Sequence, residues 1–161
     1  MSCHPNIASL VSYGLEGQQS LADAISTVLG EPMEQTTATY DTLDFQSKTT
    51  FAELKRRKPE WSYHDEKIKK EGWLLPSCKI LRGWDELSKG KRVFFFYFWS
   101  FDKSLWVFEM KEGDFSQTPH FIPKNHYDQM LHVAVPQERW TRCEVNLNHL
   151  QFEEDQCWIQ D

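Results

Sequence analysis

The 161-residue chain has no C-x-x-C pair, no run of eighteen apolar residues, no internal repeat and no surplus of positive charge. The four cysteines, Cys3, Cys78, Cys143 and Cys157, are scattered. The N-terminus shows no secretory pattern, so reduced thiols inside a cell (cytoplasm or nucleus) are expected. Without a long apolar run, no membrane-spanning segment and no membrane partner are expected. The absence of repeats, low-complexity tracts and linkers points to a single domain over 1–161, and a chain this long can bury a substantial core. The formal net charge of −6 works against a nucleic-acid partner unless positive charge is gathered locally. It is gathered: Lys55–Lys58 reads KRRK, Lys67–Lys70 reads KIKK, and Lys89, Lys91 and Arg92 follow. A basic rim of this kind can bind phosphates despite the overall sign.

What the chain does have is apolar material, 40% hydrophobic and 14% aromatic, enough for a core without disulfides. Leu21, Ile25, Val28 and Leu29 recur at helical spacing from about Glu16 until Gly30 and Pro32 stop the helix. Met33 to Thr39 is a short candidate strand. Pro59 to Trp73 reads as a polar loop in which Tyr63 and His64 could reach a phosphate. A second helix is predicted from Pro76-Ser77 to Ser88, with Ser77 as N-cap and Ile80, Leu81, Trp84 and Leu87 as its buried stripe. Next comes RVFFFYFWSF, the near-continuous apolar run of a strand covered on both faces, then a turn into LWVFEM. Lys111 to Lys124 is a loop, Met130 to Val135 a strand, and Arg142 to Leu147 an edge strand. The acidic tail from Glu153 is expected to be exposed. His120, His126 and His132 do not share a face across Pro123, so they are not read as a metal set.

The chemistry concentrates between Tyr40 and Lys58, YDTLDFQSKTTFAELKRRK. Two antiparallel strands, Thr42–Gln46 and Phe51–Arg56, would pair Gln46 with Phe51, Phe45 with Ala52, Asp44 with Glu53 and Leu43 with Leu54. Alternation places Phe51, Glu53 and Lys55 on one face. The apolar partners select this register, because a one-residue slip would scramble both faces. Directly opposed carboxylates repel, and a hard cation such as Mg²⁺ or Mn²⁺ between them relieves the repulsion. A lysine two residues on would lie beside that ion. The trio suits phosphodiester hydrolysis, the metal activating a water and the lysine orienting it. The same trio also suits a plain charged face of a half-exposed sheet.

Asp44, eight residues, then Glu53-Leu54-Lys55 resembles the active-site hairpin of the PD-(D/E)XK nuclease superfamily, with Leu43 where proline is frequent. The resemblance covers about residues 16–110. It implies an α/β (α+β) fold, a central mixed sheet flanked by helices with a restriction-endonuclease-like core. It implies a Mg²⁺- or Mn²⁺-dependent nuclease in which Asp44 and Glu53 bind metal and Lys55 serves the nucleophile. An acid on the first helix, Glu16 or failing that Asp23, would complete the metal shell. Lys79, at a place the family sets near the metal and the substrate, would contact the substrate with Arg56, Arg57, Lys58 and Tyr63, and family precedent makes that substrate DNA rather than RNA. Compact versions of this kind resemble proteins of phages and large DNA viruses, which would place the chain in an infected host cell. The alternative is a catalytically inactive binding or assembly module on the same fold. A cap-snatching RNA endonuclease is disfavoured, since no histidine falls between Glu16 and Gly30.

Overall fold

The computed structural model describes residues 20–36, 43–57, 72–100, 102–123 and 130–150. Helix α1 covers residues 20–29, followed by β1 (Glu34–Gln35), β2 (Phe45–Gln46), β3 (Thr50–Arg57) and β4 (Trp73–Pro76). Helix α2 (Ser77–Ser88) leads to β5 (Arg92–Trp99) and β6 (Ser104–Met110). Strand β7 (His132–Val135), a 3-10 turn (Gln137–Arg139) and β8 (Thr141–Arg142) complete the order. The architecture is mixed α+β. Among the described residues a six-stranded mixed sheet runs β1-β2-β3-β5-β6-β8, with β3 and β5 the parallel pair, and β4 and β7 form a separate antiparallel ribbon. None of the described helices is long and apolar enough to cross a membrane.

The apolar run of β5 resolves into two interleaved cores, because successive side chains leave opposite faces of a strand. Val93, Phe95, Tyr97 and Trp99 point to the face covered by α2 and the β4–β7 ribbon, where they meet Phe108, Met110, Val133 and Trp140. Phe96 and Phe98 point the other way, into Phe45, Ala52, Leu54 and Leu105, with Leu21 and Ile25 of α1 packed on them. Trp73 of β4 lies 5.1–5.3 Å, centroid to centroid, from the rings of Tyr97, Trp99, Trp106 and Trp140, so these aromatics are packed against one another as core.

Helix α2 sits close on the sheet because of Gly83. A Cβ there would come within 2.7 Å of Met110 Sδ and 3.4 Å of Val93. That close approach sets the helix rotation and corrects the expected stripe. Ser77, Ile80, Gly83 and Glu86 are buried, at i, i+3 spacing, and Leu81 is 54% exposed. Buried Glu86 is met by Arg82 at 3.3 Å and Lys89 at 3.4 Å.

Other boundaries also differ from expectation. Ser77 is the first helical residue and Pro76 the N-cap; the Ser77 hydroxyl is engaged by His120 Nδ1 at 2.6 Å. Among the described residues the first strand covers Glu34–Gln35, with 37–39 of the expected span outside them, and the strands near the C-terminus are His132–Val135 and Thr141–Arg142. Trp73–Pro76, at the end of the expected loop, is a strand paired with β7. The rest of that loop, with the 67–70 cluster, His64, His126, Cys3, Cys157 and the acidic tail, lies outside the described residues. Cys78 and Cys143 are free thiols.

Candidate active site

The hairpin adopts the register selected by its apolar partners: Phe45 opposite Ala52 and Gln46 opposite Phe51. Ser47 N–H donates to the Thr50 carbonyl at 2.8 Å and closes the turn. The first strand is shorter than expected, because the chain bends at Asp44 and regular pairing stops at Phe45. Thr36 pins that bend from the β1 side, its N–H donating to the Asp44 carbonyl at 2.9 Å and its hydroxyl to the Leu43 carbonyl at 2.6 Å. The bend sends Leu43 into the core beneath α2, beside Ile80 and Phe95, while Leu54 stays in the opposite core. The expected Leu43–Leu54 contact is therefore replaced.

Asp44 and Glu53 are brought together and interlocked through each other's backbone. Asp44 N–H donates to Glu53 Oε2 at 3.1 Å, and Leu54 N–H donates to Asp44 Oδ2 at 2.9 Å. Glu53 is 8% exposed, so its face is covered by core and not open to solvent as the charged-strand pattern suggested. Burial pushes the Asp44 carboxyl above its ordinary value, against the Leu54 N–H and the positive charges of Lys79 and Lys55. Burial, with the charge of Asp44 added, pushes Glu53 well above the usual carboxylate range. Two acids in one poorly hydrated place, each resisting ionisation, are a site that favours an added cation.

Two lysines stand around the pair. Lys55 shares the strand face of Glu53 and is partly buried opposite Tyr97. Lys79, in the first turn of α2, comes down onto the pair from above the sheet, its Nζ 3.6 Å from Glu53 Oε1. Cys78 next to it is exposed, and burial of its sulfur raises the thiol's pKa. The donor set fits a hard divalent ion. It offers carboxylate oxygens without sulfur or imidazole, and Mg²⁺ characteristically takes one or two carboxylates and keeps several waters. Among the described residues no three acids, histidines or cysteines converge as a larger ligand set.

The remaining predicted residues divide. Asp23 is exposed on α1, the helix that packs on the opposite face of the sheet, and does not join the pair. Arg56 and Arg57 are 5% and 8% exposed, which corrects the picture of a solvent-facing KRRK rim. The cause is position: β3 is an interior strand with both faces covered. Arg57 Nε donates to Tyr97 Oη at 2.5 Å, with the guanidinium 5.7 Å from the ring centroid. Lys89 and Arg92 are paired with Asp85, Glu86 and Glu109, and Lys91 Nζ donates to the Lys48 carbonyl. Glu16, Lys58 and Tyr63 lie outside the described residues.

The resemblance implies a lysine at the place of Lys79, and the structure adds its direct contact with Glu53. The signal for that contact was a lysine in the first turn of a helix with no acid in that turn, at the end where the helix dipole disfavours a cation. No protein-family model, no curated protein and no solved structure matches the chain, so its functional reading rests on this geometry.

Proposed function

We propose that the protein is a metal-dependent nuclease with a restriction-endonuclease-like core of the PD-(D/E)XK type, acting on DNA. The observation that carries this reading is the meeting of Asp44 and Glu53 through paired backbone hydrogen bonds, with Lys79 set against them and Lys55 on the same strand face. Asp44 and Glu53 would hold Mg²⁺ or Mn²⁺, which when bound lowers the pKa of a water and neutralises phosphate charge. Lys55 orients the attacking water and offsets the charge developing on the phosphorane. Lys79 would contact the scissile phosphate. Because Arg56 and Arg57 are buried, substrate contacts fall first to Lys55 and Lys79.

The test is incubation of the purified protein with plasmid and single-stranded DNA, with Mn²⁺ or with chelator. Cleavage is expected with Mn²⁺ and not with chelator, and Glu53→Gln is expected to lose cleavage and Mn²⁺ binding together. Lys55→Ala is expected to keep Mn²⁺ affinity, or raise it slightly as a nearby positive charge is removed, while cleavage falls by roughly 10²-fold or more. A Lys55→Ala protein that cuts at the wild-type rate would leave E-x-K as a chance match. One observation favours a second reading, a non-catalytic binding or assembly module: the 3.6 Å approach of Lys79 to Glu53 already supplies a counter-charge to the acids. That reading predicts no chelator-sensitive cleavage of any nucleic acid.

A further inference from the structure

Lys79 occupies an unfavourable position for a lysine. It lies in the first turn of α2, where the peptide dipoles present their positive end. Its side chain is 16% exposed, against 10% for that of Glu53, so the contact is not a solvated surface pair. The N–O separation of 3.6 Å is an ion-pair distance beyond ordinary hydrogen-bond length, so the contact is charge compensation. Glu53 Oε2 is already taken by the Asp44 N–H, and the approach of Lys79 is to the other oxygen, Oε1. Desolvated like charges need a cation, and the described residues present an ammonium at that place.

We infer that Lys79 is the built-in stand-in for the metal: its ammonium holds the Asp44–Glu53 pair together when no divalent ion is present and gives way when one enters. This rests on the metal-site reading above and adds a division of labour between the two lysines. Lys79 exchanges with the ion, while Lys55, along the strand, does not. The flexible four-carbon stem of lysine lets the ammonium withdraw towards the substrate side of the site without moving the helix. Before metal loading Lys79 is thus a positioning residue that preserves the geometry the ion needs.

The test compares thermal melts of the full chain at pH 8 in chelator and in Mn²⁺, for wild type, Lys79→Met, Lys55→Met, Glu53→Gln and the double variant Lys79→Met/Glu53→Gln. In chelator, Lys79→Met is expected to melt lower than wild type by on the order of 5–10 °C, because one partner of a buried charge cluster is gone. Mn²⁺ should restore most of that loss, so its stabilising shift is larger in Lys79→Met than in wild type. Lys55→Met should show a shift equal to or slightly above that of wild type, and smaller than that of Lys79→Met. The double variant, with one charge of each sign removed, should return towards the wild-type melting temperature in chelator and not respond to Mn²⁺. If Lys79→Met proves too unstable to purify, a double variant that melts close to Glu53→Gln alone attributes the loss to the unbalanced acid, and one that melts as far below Glu53→Gln as the roughly 5–10 °C expected of Lys79→Met would overturn the inference. Equal Mn²⁺ shifts in wild type and Lys79→Met, or a double variant that melts no higher than Lys79→Met, would overturn the inference and leave the metal site standing. An absence of any Mn²⁺ shift in wild type would overturn the metal reading itself.

Discussion

Replacing Glu53 with Gln should make the metal-free protein more stable, by an amount that grows with pH. Glutamine keeps the shape and an oxygen to accept the Asp44 N–H, which Glu53 Oε2 now accepts at 3.1 Å, but carries no charge. In the folded chain, burial and the neighbouring Asp44 raise the Glu53 pKa well above its ordinary 4.5. The folded state therefore holds the Glu53 proton to higher pH than the unfolded state does. Stability linked to that proton is fully present below the ordinary value and is lost as pH rises through the raised one. Within this window the wild type loses up to about 1.4 kcal/mol per pH unit relative to the glutamine variant, the free energy of one proton per decade. For a chain of this size that corresponds to roughly 2–4 °C in melting temperature per kcal/mol. Melts of both proteins in chelator from pH 4.5 to 8.5 give the difference directly; groups remote from the pair cancel, and what remains is the titration of Glu53 together with its effect on neighbouring Asp44. A flat difference, or one in which the variant loses ground as pH rises, would show that the lysines hold Glu53 ionised in the fold.

Tyr97→Phe removes the oxygen that accepts the buried Arg57 Nε at 2.5 Å, and should cost about 1.5–3 kcal/mol in a denaturant melt. Neutralising Arg56 and Arg57 together should for the same reason destabilise the fold before it reports on nucleic-acid affinity, and a circular-dichroism melt will show this. Gly83→Ala gains about 1 kcal/mol of helix propensity but forces a methyl to 2.7 Å from Met110 Sδ, where overpacking costs about 1–3 kcal/mol. A net loss of roughly 1 kcal/mol is expected, and a rise in melting temperature would show that Met110 moves aside freely.

The parts of the fold legible in the sequence are those where apolar pattern and strand period agree. The hairpin register could be read because Phe45 and Ala52 must share a covered face, and that one constraint places Asp44 against Glu53. The two-sided burial of β5 was visible as an unbroken apolar run. Trp73–Pro76 was not, because four residues ending in proline carry too little period to declare a strand whose partner, β7, lies more than fifty residues away. The stripe of α2 failed at Leu81 because hydrophobicity ranks a leucine above a glycine for burial. The contact with Met110 instead selects the residue with no side chain at all.

The site shows a different limit. Lys55, Arg56, Arg57 and Lys58 look like one basic patch in sequence, yet alternation sends Lys55 and Arg57 to the Glu53 face and Arg56 to the other. Burial on an interior strand then turns Arg57 from a phosphate ligand into a partner of Tyr97. Charge counted along the chain therefore overstated what could reach a substrate here. It also understated Lys79, a single lysine outside every cluster, which the crossover from β3 through α2 to β5 sets against Glu53. An isolated cation at the positive end of a helix is locally disfavoured. In this chain it is the cation placed against the two acids that burial leaves in need of one.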